Sequence, residues 1–172
     1  RQYLLAAALV LSLSLLVYQQ ILWPPVEKRF PWGSDSWGHL FKAEMLYEQI
    51  QQGNYYPQFT EYWYNGVQPF RYWAPLPYYA LAALRGLCGD IFTAGNLYIY
   101  LCALLGGLSW LLLSRRMGLW PAVMAAVAWL LWQDNVRVAF SEGNLPRVLA
   151  TALLPLLFAL FLHIVTRPKS YG

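Results

Sequence analysis

The chain has 172 residues, of which 59% are hydrophobic, 17% are aromatic and only 12% are charged. A soluble domain carries about twice that charged fraction, so the composition excludes disorder and an ordinary cytosolic enzyme. The formal net charge of +4 is too small and too scattered for a nucleic-acid-binding surface. Cys88 and Cys102 match neither a metal-binding spacing nor a disulfide framework. The composition predicts a polytopic membrane protein, with the lipid bilayer as a partner.

Apolar segments long enough to cross a bilayer recur along the chain. The first contains no formal charge and ends in Trp23-Pro24-Pro25, an interfacial aromatic residue followed by a helix stop. The predicted spans are residues 3–23, 96–114, 119–132 and 148–165. Two polar segments, 24–95 and 133–147, then form outer loops that face the same compartment.

The distribution of basic residues predicts the orientation. With the N-terminus in the cytoplasm, the inner segments hold five basic residues and no acid. These residues are Arg1, Arg115, Arg116, Arg167 and Lys169. Such an asymmetry is typical of cytoplasmic loops, so both termini are expected in the cytoplasm.

Two shorter helices are predicted in the first outer loop. Residues 35–52 have a mixed face, start near Ser34 or Asp35 and end at Gly53, so this helix should lie at the membrane surface. Residues 76–87 are apolar but too short to span, which indicates a juxtamembrane or re-entrant helix. The predicted fold is an all-α integral membrane protein with about four transmembrane helices, forming one module over residues 1–172. Because the chain starts at Arg1 and not at Met, we expect it to be part of a longer protein.

Asp35, His39 and Lys42 share one helix face, at spacings of four and three residues. An acid just beyond a membrane helix, with a histidine one turn later, can serve as a general base or orient a metal or a hydroxyl group. The alternative is that Asp35 only caps the helix and His39 is a surface residue.

Aromatic residues are concentrated in residues 54–79. They are Tyr55, Tyr56, Phe59, Tyr62, Trp63, Tyr64, Phe70, Tyr72, Trp73, Tyr78 and Tyr79. Several can stack on a sugar ring or line a lipid groove. The alternative is an interfacial aromatic belt.

The second outer loop contains Arg137, Glu142 and Arg147. Arg147 stands at the start of the last span, where its guanidinium can bind a lipid phosphate or extend to lipid headgroups without a specific role. His163 has no second histidine at matching depth, so a packed or interfacial residue is expected rather than a haem or chlorophyll ligand.

Three segments give the chain a family resemblance: Gly53-Asn54-Tyr55-Tyr56-Pro57, the Gly66–Tyr79 stretch and Ser141-Glu142-Gly143-Asn144-Leu145-Pro146-Arg147. Together with the order of spans and loops, they resemble the N-terminal module of the GT-C membrane glycosyltransferases. The chain looks closest to the bacterial and archaeal membrane proteins related to 6-pyruvoyl-tetrahydropterin synthase. It is more loosely similar to the oligosaccharyltransferase and arabinosyl- or mannosyltransferase branches.

The resemblance implies transfer of a sugar from a polyprenyl-phosphate-linked or polyprenyl-pyrophosphate-linked donor on the outer face of a bacterial or archaeal plasma membrane. Asp35 matches the acid that acts as base or metal ligand, with His39 and Glu142 in support. Arg147 or Arg71 matches the residue that faces the donor phosphate. The acceptor platform would comprise Tyr62, Trp63, Tyr72 and Trp73.

This chain departs from the metal-dependent pattern. Asp35-Ser36-Trp37 lacks the second acid of Asp-x-Asp, so a divalent metal site would need Glu142 from the second loop. The rival hypothesis is a non-catalytic structural subunit of a larger membrane complex, which the low charge and the many aromatic residues also fit.

Overall fold

The computed structural model describes residues 1–23, 30, 33–63 and 65–166. The predictions made for Pro24, Pro25, Tyr64, Arg167 and Lys169 lie outside these residues. Within the described ranges there are six helices of 12 residues or more, which confirms an all-helical fold. They are α1 (Gln2–Leu22), α2 (Ser36–Gln51), α3 (Leu76–Cys88), α4 (Ile91–Met117), α5 (Leu119–Leu130) and α6 (Leu145–Val165).

Helices α1, α4 and α6 are long and apolar enough to cross a membrane, and they are the three such helices among the described residues. The predicted spans 96–114 and 148–165 fall within α4 and α6, and the predicted span 3–23 extends one residue beyond α1. Helix α5, on which the predicted span 119–132 falls, has 12 residues. A helix of that length rises only about 18 Å and is shorter than the hydrocarbon core.

Two long helices start earlier than the apolar pattern predicts, because polar residues cap them. At α4, Asp90 Oδ1 accepts hydrogen bonds from the amides of Phe92 and Thr93 at 2.9 and 3.0 Å. At α6, Asn144 Oδ1 accepts one from the amide of Arg147 at 3.1 Å. The residues just after these caps therefore belong to helices and not to loops.

Helix α4 is the centre of the molecule. Half of its most apolar window is buried, against 28% for α1 and 17% for α6. It packs against α1, α3, α5 and α6. Large apolar side chains of α6, among them Leu157, Phe161 and Ile164, are instead exposed, as expected of a surface that contacts lipid.

Residues 119–143 run along the bundle in the direction opposite to α4. Leu119 and Trp120 share a cavity with Gln2 and Leu5 at the start of α1. Helix α5 then ends, and Asn135 Nδ2 donates to the Trp129 carbonyl at 3.0 Å. A short helix, Gln133–Val136, and a π-helical segment, Arg137–Glu142, continue the path.

The π-helical segment reaches the far end of α1, because the ring of Phe140 lies 6.2 Å from that of Tyr18. We call this end of the bundle the loop end. The other end carries Gln2, Arg116 and Thr166, where the Arg116 guanidinium donates to the Leu162 carbonyl and to the Thr166 hydroxyl.

Helices α2 and α3 pack as a pair at the loop end, close to the predicted ranges 35–52 and 76–87. The Arg85 guanidinium joins them, because its Nε atom donates to both carboxylate oxygens of Glu44 at 2.8 and 2.9 Å. Its Nη1 atom also donates to the Gly89 carbonyl at 2.6 Å. Arg85 thereby closes the C-terminus of α3 and fixes it to α2.

Candidate functional site

The two polar loops meet through their backbones at the loop end. The amide of Asp35 donates to the Glu142 carbonyl at 2.7 Å, and the amide of Ser34 donates to the Ser141 carbonyl at 3.1 Å. The Ser34 hydroxyl also donates to the Glu142 carbonyl at 3.0 Å. The structure thus brings together Asp35 and Glu142, two sequence-predicted site residues that lie in different loops.

This contact requires a glycine at position 143. Gly143 has φ of +66°, and a Cβ atom placed there would lie 2.0 Å from the Ser36 hydroxyl oxygen and 2.8 Å from the Ser36 amide nitrogen. Any side chain would be strained by the backbone conformation and would separate the two loops. The segment Ser141-Glu142-Gly143 is therefore shaped to receive the start of α2.

Asp35 is exposed and immediately precedes α2. Its side chain makes no capping hydrogen bond. The alternative in which Asp35 only caps the helix is therefore not what the structure shows. The amide of Gly33 instead donates to the Ser36 hydroxyl at 2.9 Å. The Asp35 carboxylate is consequently available to a ligand at the junction of the loops.

His39 is buried one turn further along α2, at 5% exposure. Its Nδ1 atom and the hydroxyl of the fully buried Tyr78 share a hydrogen bond of 2.9 Å. Burial, helped by the positive charge of Lys42 and opposed by Asp35, lowers the pKa of His39 to about 4. His39 is therefore a neutral, packed imidazole near pH 7 and not a surface residue.

Lys42 is also buried, at 4% exposure. Its ammonium lies 4.0 Å from the centre of the Trp63 ring and 4.1 Å from that of Trp73, and it donates to the Gly38 carbonyl at 3.3 Å. Burial lowers the pKa of Lys42 to about 8, with Asp35 opposing the shift. Through two cation–π contacts, the Lys42 ammonium joins the loop residues Trp63 and Trp73 to α2.

The four residues predicted as an acceptor platform fall into two groups. Trp63 and Trp73 are half-buried against Lys42, whereas Tyr62 and Tyr72 are 76% and 72% exposed. The exposed Arg71 has its guanidinium 5.5 Å from the Tyr72 ring. The two tyrosines are therefore accessible to a ligand, and the two tryptophans hold the segment in place.

Arg147 belongs to a network of four alternating charges. Its guanidinium lies 3.2 Å from Glu142 Oε2 and 3.4 Å from Asp134 Oδ2. Arg137 contacts the same two carboxylates, at 2.6 Å from Asp134 Oδ1 and through an ion pair with Glu142. The Arg137 guanidinium lowers the pKa of the Asp134 carboxyl. All four side chains are partly exposed, and their charges balance.

Sequence reasoning missed Asp134, and it named Tyr78 only as one of the aromatic residues of 54–79. Asp134 precedes Arg137 by three residues on a helical turn, a spacing that could have signalled the ion pair. Tyr78, the partner of His39, carried no such signal, because its contact joins α3 to α2. Among the described residues, no group of three or more His, Cys, Asp or Glu side chains is placed to hold a metal ion.

Three apolar helices of spanning length among the described residues define an integral membrane protein. A family model, the 6-pyruvoyl-tetrahydropterin synthase related domain, described as a membrane protein, matches residues 70–172. The match covers more than half of the chain, and the chain therefore belongs to this family. A search of curated proteins and a search of solved structures found no match. Glu142 and Arg147 lie within the matched residues, whereas Asp35 and His39 precede them.

Proposed function

We propose that this chain is the module of a GT-C-type membrane glycosyltransferase that transfers sugar from a polyprenyl-phosphate-linked donor. The observation that carries the proposal is the backbone junction of Asp35 with Glu142, whose side chain belongs to the charge network that holds Arg147 at the loop end. A carboxylate base and a phosphate-binding cation are the two groups that such a transfer needs.

In this scheme the Asp35 carboxylate takes the proton of the acceptor hydroxyl. The acceptor oxygen forms a bond to the anomeric carbon as the bond from that carbon to the phosphate oxygen breaks. The polyprenyl phosphate leaves with the electron pair, and the Arg147 guanidinium stabilises its charge, with Arg71 as the second candidate. His39 is a positioning residue, because it is neutral and joined to Tyr78.

The proposed topology has four crossings. Helices α1, α4 and α6 supply three, and residues 119–132 supply the fourth, with the short helical segments of residues 133–142 continuing at the loop end. The loop end then faces outward, and Arg1, Arg115 and Arg116 face the cytoplasm, in agreement with the positive-inside rule.

The experiment is a transfer assay with the purified chain in nanodiscs. A panel of polyprenyl-phosphate hexoses serves as donor, neutral trisaccharides serve as acceptors, and released polyprenyl phosphate is measured with and without EDTA. Asp35→Asn should abolish transfer while leaving the melting temperature unchanged, because asparagine cannot act as the base but has nearly the same side-chain shape as aspartate. Asp90→Asn is the matched control, since asparagine also caps helices.

Equal activity of wild type and Asp35→Asn would overturn the assignment of the base. A second candidate function, a structural subunit, is favoured by the ion pairs of Arg147, whose guanidinium already has two carboxylate partners. This candidate predicts no phosphate release with any donor, together with co-purification of a larger membrane complex that is lost when the Arg147 network is disrupted.

A further inference from the structure

A groove at the loop end begins at Phe41, six residues beyond Asp35. It has a volume of about 650 Å³ and runs between α2 and residues 59–62. One wall is a stripe of α2 that includes Phe41, Met45 and Glu48, at helical spacings of three and four residues. The other wall includes Phe59 and Tyr62. Both walls thus combine aromatic and polar side chains.

Contacts outside the groove hold both walls in place. Thr60 and Val67 exchange two backbone hydrogen bonds of 2.9 Å and so form an antiparallel bridge. The Trp63 ring packs on the Lys42 ammonium and lies 5.4 Å from the Phe41 ring. The helical wall is fixed by the Arg85–Glu44 ion pair. The groove is therefore preformed, as ligand sites usually are.

The chemistry of the groove selects the ligand. Phe59 and Tyr62 are 64% and 76% exposed and present apolar ring faces. Glu48, Gln52 and Glu61 are also exposed on the walls. Carboxylate oxygens accept hydrogen bonds and the carboxamide both donates and accepts, whereas aromatic faces take apolar C–H surfaces. Rings with hydroxyl edges and C–H faces fit this combination.

The charge of the groove argues against two other occupants. The described residues that line it include three glutamates and no lysine or arginine, and Arg85 neutralises only Glu44. A lipid phosphate would be repelled by the remaining carboxylates. Hydrocarbon chains are also disfavoured, because carboxylates are costly to bury in an apolar phase.

We infer that the groove between α2 and residues 59–62 is the acceptor subsite and binds a neutral oligosaccharide. For its role in transfer this inference rests on the proposed function, but saccharide binding can be measured without it. The Tyr62 ring stacks on a sugar ring, and the Glu48 carboxylate accepts hydrogen bonds from sugar hydroxyl groups. The donor phosphate is excluded from the groove and binds elsewhere at the loop end.

The test is saccharide binding to the full chain in nanodiscs by saturation-transfer NMR and calorimetry. The probes are mannotriose, maltotriose and triacetylchitotriose, with trigalacturonate as the anionic comparison. We expect at least one neutral probe to bind and the anionic one not to bind. Tyr62→Ala should weaken binding about tenfold, and Glu48→Gln should weaken it about threefold.

Tyr55→Ala is the matched control, because Tyr55 is 68% exposed in the same segment and does not line the groove. It should leave saccharide affinity unchanged. The inference is overturned if no neutral probe binds, if trigalacturonate binds equally well, or if Tyr55→Ala and Tyr62→Ala have the same effect. Saccharide binding without any transfer would refute the transferase activity and support the groove as a saccharide site. Transfer with an unchanged acceptor KM in Tyr62→Ala would support the transferase activity and refute the groove as its acceptor subsite.

Discussion

The backbone amide of Asp35 donates a hydrogen bond of 2.7 Å to the carbonyl of Glu142. This bond joins the start of α2 to the end of the π-helical segment, and it sets an exposed carboxylate beside the Arg147 network. The loops come this close only because Gly143 carries no side chain, so the geometry of the site depends on a residue with no chemistry of its own.

Gly143→Ala should therefore destabilise the protein strongly. The positive φ costs about 1–2 kcal/mol, and the clash with Ser36 adds to it, for a total of about 3 kcal/mol or more. Gly53→Ala is the control, because Gly53 also has a positive φ, +83°, but no atom within 4 Å of the added Cβ. Thermal unfolding in detergent measures both, and equal losses would show that the two loops do not depend on this contact.

Gly106→Ala should separate α4 from α5. A Cβ atom at Gly106 would lie 2.3 Å from the indole nitrogen of Trp129, whereas the nearest atom at Gly107 is 3.3 Å away. We expect Gly106→Ala to cost about 1–3 kcal/mol. Gly107→Ala should be close to neutral, since the helix propensity of alanine offsets a tight contact. Unfolding free energies that rank in the opposite order would contradict this packing.

The buried His39 predicts a pH dependence of stability. Its folded-state pKa of about 4 lies below the ordinary value of 6.5, so the unfolded chain binds the proton more tightly. The full stability is present above pH 6.5 and falls as the pH drops towards 4, by roughly 3 kcal/mol at most.

His39→Asn should remove this part of the pH dependence while keeping a polar group near Tyr78. Melting temperatures of both proteins, measured from pH 7.5 to pH 4, give the comparison. The difference between the two curves of melting temperature against pH gives the contribution of His39, because the carboxylates that titrate in the same range are common to both proteins. Parallel curves would mean that His39 is not buried as a neutral group.

Glu142→Gln should free the Arg147 guanidinium from one of its two carboxylate partners. Farnesyl phosphate, a short soluble polyprenyl phosphate, should then bind about fivefold more tightly, because an exposed ion pair contributes about 1 kcal/mol. Calorimetric titration measures the dissociation constant. Asp90→Asn removes a negative charge outside the network and should leave it unchanged. Weaker binding to Glu142→Gln would contradict a phosphate site at Arg147.

The proposed orientation can be tested by cysteine labelling in intact cells. Cys88 is partly exposed at the end of α3 and should react with a membrane-impermeant maleimide from outside. Arg115→Cys, in a Cys88→Ser background, should react only after permeabilisation. Labelling of the Arg115→Cys variant from outside would place the loop end in the cytoplasm.

The local pattern of residues was sufficient to predict the long helices, but not the helical segments of residues 133–142, which were predicted as a loop. Apolar runs without charge predicted α1, α4 and α6, since a bilayer-spanning helix needs length and composition and little else. The end of α2 was also predicted, because Gly53 follows the helix and has a positive φ, and the range of α3 followed from its apolar run. The resemblance to membrane proteins related to 6-pyruvoyl-tetrahydropterin synthase is confirmed over residues 70–172, whereas the likeness to GT-C enzymes and the transferase activity stay predictions.

The partners of the candidate site residues were decided by tertiary structure. The sequence could name Arg147, Trp63 and Trp73, but not that Arg147 is paired with Asp134 and Glu142, nor that Lys42 lies between the two rings. These contacts join helices and loops that are distant along the chain, and a charge or a ring carries no local sign of which distant group it will meet. Only the packing of α2 against α3, and of residues 119–143 along the bundle, selects the partners.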